Sequence, residues 1–182
     1  YLSLFFNYLE NNNFLKNTNI ILTGDHGTSY TAGKRPLLNK DRTNVAMFIR
    51  KPNCSKKIVK DLLNTGLDFN DIINSILLDS KNESKAIENE NIFKPHPKRD
   101  FIISESLFGI KYKICIRDKN LEMHRVFPYD KKTKKIAYKK PITTTIFDSE
   151  NKIINRKDYS KFSKIASFNE ILIKHLTEKK YI

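Results

Sequence analysis

Residues 19–29 read NIILTGDHGTS. A short apolar run, Asn19 to Leu22, passes straight into Gly24-Asp25-His26-Gly27. A strand that ends on an acid and an imidazole side by side has two readings. In one, Asp25 and the glycines make a turn and His26 is incidental. In the other, Asp25 and His26 are ligands of a divalent ion, because carboxylate oxygen and imidazole nitrogen are both good donors. Ligand sites of open α/β sheets lie beyond the carboxyl ends of the strands, which is where these two residues fall. Gly27 is then expected to let the backbone turn tightly enough for both side chains to aim at one ion.

Working outward, the unbroken apolar character of 19–23 is that of a strand covered on both faces of a parallel sheet. TNVAMFIR at 43–50 reads as a second such strand. Leu2, Phe5, Phe6 and Leu9 recur at the spacing of one helix face. Residues 56–63 and 69–79 read as two more helices, with Asn70 capping the second. SKNESKAIENENIFKPHPKRD, residues 80–100, is polar and Pro-flanked at His96, and reads as a surface linker. Strand-like runs follow at 101–110, 112–118, 123–130, 134–140 and 142–148. Tyr112, Ile114 and Ile116 alternate with Lys113, Cys115 and Arg117, which predicts an antiparallel meander with one solvated face. A closing helix over 157–179 carries Phe162, Ile165, Leu172 and Leu176 as its buried stripe.

The fold class expected is α/β, with residues 1–80 part of a mostly parallel sheet domain, a linker at 81–100, and an antiparallel sheet with a helix at 101–182. Two parallel strands do not cover each other's faces, so further strands are expected upstream. The chain opens on Tyr1 rather than Met, and the expectation is a processed chain or a fragment.

The 182 residues carry a formal charge of +14, yet residues 1–33 hold one Lys and two acids. The excess lies toward the C-terminus, above all in KKTKKIAYKK at 131–140. Such a patch is able to dock on acidic polysaccharide or nucleic acid. The plainer reading is a solvated hairpin, and nucleic acid is not expected as a partner. Cys54 and Cys115 match no C-x-x-C spacing. No apolar run approaches the roughly 18 residues of a membrane span, and no signal peptide is visible.

The motifs in their order resemble the sulfatases of the alkaline-phosphatase superfamily. FNYLENNNFLKNTNIILTGDHG (6–27) is similar to that family's helix and its strand x-x-N-T-x-I-I-x-T-S-D-H-G. RTNVAMFIRKP (42–52) is similar to R-x-x-V-P-L-I-I-R-x-P, and FNDIINSILLD (69–79) to D-I-x-P-T-I-L-x-L. IISES (102–106), YKICIRDKNLEMHRVF (112–127) and the segment 144–178 resemble the family's tail. Gly24 stands where the family has Ser, and Ala46 and Asn74 where it has Pro.

The resemblance implies an alkaline-phosphatase-like domain and hydrolysis of sulfate esters, on a sulfated small molecule or a polysaccharide. Asp25 and His26 would be two ligands of a divalent ion, most often Ca²⁺. A Lys of the following loop would touch the sulfate; Lys34 is the best match and Lys40 the second. Arg42 would contact substrate or cap its loop. The chemistry would be electrostatic stabilisation of a tetrahedral anion, aided by the metal as Lewis acid. Family members are often exported. His124 and His175 are expected to be structural, His96 exposed, and Glu105 a buried, paired carboxylate.

One part of the pattern is missing. The family's nucleophile is a Cys or Ser in C/S-x-P-x-R, converted to formylglycine. The residues two before the six prolines are Lys34, Arg50, Phe93, Pro95, Val126 and Lys139. The nucleophile and a further Asp pair are therefore expected upstream, and this polypeptide by itself is expected to bind metal weakly and to turn nothing over. Two alternatives stand beside this reading. One is a phosphodiesterase or phosphoethanolamine-type transferase of the same superfamily, which shares the Asp-His strand. The other is a basic glycan-binding relative without chemistry.

Overall fold

A computed structural model describes residues 1–28, 36–52, 72–74 and 99–182. The chain divides into two compact units, residues 1–26 with 45–98, and residues 27–44 with 99–182.

In the first unit, α1 spans Leu2–Asn11 and is followed by a 3₁₀ turn at Phe14–Lys16. The predicted apolar stripe is on the helix, but only Phe6 and Leu9 are partly covered, while Leu2 and Phe5 are about half exposed. Strand β1, Ile20–Thr23, pairs with β2, Met47–Arg50. Ile20 faces Arg50 and Thr23 faces Met47, so the pair is antiparallel. This corrects the expectation of a parallel pair. A three-residue apolar run says that a strand is present but says nothing of its direction, and neither strand has a buried residue. Arg50 anchors β2 by donating from Nη1 to the Leu15 carbonyl at 2.9 Å. Residues 72–74 are helical, within the helix predicted over 69–79. The helix predicted at 56–63, most of the linker, Cys54 and His96 lie outside the described residues.

The second unit holds α2 (Lys40–Thr43), β3 (Ile102–Phe108), β4 (Lys111–Arg117), β5 (Leu121–Asp130), β6 (Lys135–Ile136), β7 (Thr143–Asp148), a 3₁₀ helix (Arg156–Lys161) and α3 (Ser163–Glu178). Strands β3, β4, β5 and β7 form an antiparallel sheet in that order, and β6 pairs with the last two residues of β5. Every strand pairing among the described residues is antiparallel; the alkaline-phosphatase-like parallel sheet is not among them.

Two tight connections make the meander. Gly109 takes the left-handed conformation, φ +64°, between β3 and β4, where a side chain would be strained. Between β4 and β5, Asp118 Oδ1 accepts the N–H groups of Asn120 and Leu121, each at 2.7 Å. This side-chain turn sets the register that pairs Cys115 with His124.

One face of the sheet carries the core. Tyr112, Ile114, Ile116, Met123, Phe127 and Ile146 meet Ile165, Phe168, Leu172 and Leu176 of α3. The helix stripe is as predicted at Ile165, Leu172 and Leu176; Phe168 joins it, and Phe162 is only partly buried. Three polar ties fix the helix across the strands. Lys164 pairs with Asp118 at 2.5 Å, Arg125 donates to Asn169 at 2.5 Å, and His175 reaches Glu105 at 2.9 Å.

The opposite face of β4 and β5 is not solvated, contrary to the sequence expectation. Cys115, Glu122 and His124 are buried there, and Arg117 nearly so. The segment 36–44 belongs to this unit, and Arg117 Nη2 donates to Thr43 Oγ1 at 2.7 Å. Asn39, buried itself, caps α2 by accepting from Asp41 N at 2.9 Å and Arg42 N at 3.3 Å. Among the described residues no helix is long and apolar enough to cross a membrane.

Candidate functional site

Asp25 and His26 leave the end of β1 with both side chains well exposed, 90% and 56% respectively. Asp25 Oδ1 accepts the backbone N–H of His26 at 2.8 Å, where the chain bends. Its other oxygen, Oδ2, lies 3.9 Å from His26 Nε2. Two donors bonded to one ion at about 2.0–2.5 Å stand roughly 3–4 Å apart, so this pair fits a shared divalent ion. The bend and the metal reading are therefore compatible: one carboxylate oxygen accepts the next N–H and the other lies toward the imidazole.

Gly27 does a different job from the one expected. Its φ is not in the left-handed region; Gly109 is the only described glycine there. A Cβ on Gly27 would lie 1.9 Å from the Asp41 carbonyl oxygen, and its N–H donates to the Arg42 carbonyl at 2.7 Å. Close backbone approach, not turn geometry, is what requires glycine.

The structure brings Asp25 and His26 together in the first unit. Lys40 and Arg42 belong to the second, where both are half-buried in α2. The Arg42 backbone is engaged on both sides, with Asn39 and with Gly27. Lys34 lies outside the described residues.

A second constellation went unforeseen. Cys115 Sγ is 3.8 Å from His124 Nε2, and the same nitrogen contacts Glu122 Oε1. The three donor atoms lie within 4.8 Å of one another, and this buried group is able to hold a metal ion. Arg117 Nε stands 2.8 Å from Glu122 Oε2. Burial works to raise the Glu122 carboxyl; the hydrogen bond to His124 and the charge of Arg117 overcome it and hold the group below its ordinary value. Burial, with Glu122 nearby, pushes the Cys115 thiol up to about 12, and Arg117 offsets only part of this. Without a cation the thiol is thus neutral.

The signal for this cluster was in the sequence. Cys115 and His124 are each three residues from the Asp118–Leu121 connection, and Glu122 is two residues from His124 on the same face. Reading 112–118 as one apolar face and one solvated face hid it.

The remaining histidine of the second unit, His175, is structural as expected. It pairs with Glu105, which also accepts from the Tyr112 hydroxyl at 2.7 Å and sits 3.4 Å from Lys179. Glu105 is paired but partly exposed rather than buried. The 131–140 stretch is a solvated hairpin with all its lysines exposed. Lys135 is tied to the Lys180 and Ile182 carbonyls at 3.2 and 3.3 Å.

No protein-family model matches the chain, and no curated protein matches it.

Proposed function

We propose that this chain carries a metal-ligand strand and the C-terminal subdomain of a sulfatase-like, metal-dependent hydrolase of sulfate esters. The observation that carries the reading is the pair at the end of β1. The Asp25 and His26 side chains are exposed, with Oδ2 and Nε2 3.9 Å apart, and are suited by type to one divalent ion. The order of elements supports it: a helix and strand leading to Asp-His, a second strand over 47–50, then an antiparallel sheet closed by a helix. That order is what the family resemblance implies for the same residues.

In this reading Asp25 and His26 hold Ca²⁺, which polarises the ester oxygen when bound. Lys34, or Lys40 in its place, neutralises the developing charge on sulfate oxygens. Arg42 contacts substrate or holds its loop. Among the described residues Asp25 and His26 make an incomplete shell, so weak binding of the ion is the expectation.

Calorimetric titration of the chain with Ca²⁺ tests the ligand assignment. Weak binding that disappears in Asp25→Ala and in His26→Ala is the expected result. Binding unchanged by both substitutions would remove the basis of the proposal.

A further inference from the structure

We propose that Cys115, Glu122 and His124 form a second, buried site for a zinc-class divalent ion, distinct from the pair at Asp25 and His26. The donor set decides the class. A thiolate, an imidazole and a single carboxylate suit Zn²⁺ or a similar borderline ion, whereas Ca²⁺ takes six to eight oxygens.

The geometry agrees. With Zn–S of about 2.3 Å and Zn–N of about 2.0–2.1 Å, tetrahedral sulfur and nitrogen ligands stand roughly 3.6 Å apart. Cys115 Sγ and His124 Nε2 are 3.8 Å apart. Glu122 presents Oε1 to the same point, while its Oε2 is held by Arg117 at 2.8 Å. A carboxylate ligand steered through its outer oxygen is a usual second layer around a metal. Arg117 is itself fixed by Thr43, so the 36–44 segment closes over the ligands' orienting residue. Ser104 faces Cys115 and Thr145 faces His124 across the ladder, so the two ligands sit between hydroxyl-bearing neighbours in the register.

Binding converts the Cys115 thiol to thiolate and releases one proton to solvent. The ion's positive charge replaces that proton; the hydrogen-bonded contact between His124 Nε2 and Glu122 Oε1 opens to admit the ion, and the proton on Nε2 passes through solvent to Nδ1, so that Nε2 presents its lone pair.

The competing account is a metal-free ion pair, Arg117 with Glu122, and His124 filling space beside it. Co²⁺ distinguishes the two, because a cobalt–thiolate bond gives an intense near-ultraviolet charge-transfer absorption that oxygen and nitrogen ligands do not. The test uses the full chain with Cys54→Ser, which leaves Cys115 as the sole thiol. The expected result is a charge-transfer band saturating at one Co²⁺ per chain, bleached by one equivalent of Zn²⁺, and retained when Asp25→Ala is added. His124→Gln should weaken Zn²⁺ by at least the roughly 10–100-fold that loss of an outer-shell partner costs. A folded Cys54→Ser protein that shows no such band overturns the proposal. So does a band that Asp25→Ala abolishes. Calcium binding at Asp25 and His26 is read separately, and its failure leaves this outcome untouched.

Discussion

Cys115 and His124 stand opposite each other across the β4–β5 ladder, with Sγ 3.8 Å from Nε2, on the sheet face that α3 does not cover. Facing residues of an antiparallel pair come close enough for their side chains to interact directly. Here the paired positions hold a thiol and an imidazole, and Glu122, two residues along, completes a buried polar group.

The first prediction concerns the thiol. Cys115 is 1% exposed and its ionisation is pushed up to about 12. In metal-free Cys54→Ser protein at pH 8, the thiol should react with a chromogenic disulfide reagent only as fast as the protein opens. Denaturant should accelerate the reaction by orders of magnitude. Rapid stoichiometric labelling of the native protein would mean that the face is open.

Arg117 and Glu122 are a nearly buried ion pair. Removing one partner leaves the other charge uncompensated, at a cost of about 3–5 kcal/mol. Arg117→Met and Glu122→Gln should each destabilise by that order, and the double variant by clearly less than their sum. Chemical denaturation of the four proteins measures the coupling. Additive losses would show that the two side chains do not share their charge.

Glu105 gives a pH signature. Burial works to raise its carboxyl, but hydrogen bonds from His175 and Tyr112 and the charges of His175 and Lys179 hold it below its ordinary value. A depressed carboxyl contributes stability that is fully present above its unfolded value and drains away as pH falls through the folded value. Glu105→Gln should therefore cost roughly 1–2 kcal/mol at pH 7, discounted because the group is partly exposed, and much less at pH 3. Equal losses at both pH values would contradict this account.

The two glycines flanking Asp25 and His26 should differ. A Cβ on Gly24 meets nothing nearer than 3.4 Å, whereas one on Gly27 meets the Asp41 carbonyl oxygen at 1.9 Å. Gly24→Ala should be nearly neutral, and Gly27→Ala should cost about 1–3 kcal/mol, as overpacking does. Thermal melting of the two variants gives the comparison. A neutral Gly27→Ala would mean that the Gly27–Arg42 hydrogen bond does not hold that approach.

The second unit was legible in the sequence because its signals were local. Alternation in Tyr112, Ile114 and Ile116, and the helical spacing of Ile165, Leu172 and Leu176, named the two surfaces that pack together. Strand direction in the first unit was not legible, because three apolar residues in a row at 20–22 carry no information about the partner's orientation. The buried polar face was missed for a different reason. Cys115 and Arg117 alternate with apolar residues just as solvent-facing residues do, and only pairing with Glu122 and His124 distinguishes a buried polar layer from a wet surface. That Asp25 and His26 lie side by side was legible because adjacent residues need no tertiary structure to be neighbours. Their place beyond a strand end was readable too.

The proposed function is ester hydrolysis at a metal held by Asp25 and His26. The most direct test is hydrolysis of an aryl sulfate and of the matching aryl phosphate by the full-length product of the coding region that contains this chain, beside its Asp25→Ala form. The account predicts Ca²⁺-dependent release from the sulfate ester, reduced at least about a hundredfold by Asp25→Ala, on the order of the 2.7 kcal/mol that loss of a key electrostatic contact costs. Sulfate hydrolysis that is indifferent to Asp25→Ala, or no hydrolysis by a folded, Ca²⁺-loaded protein, would contradict it.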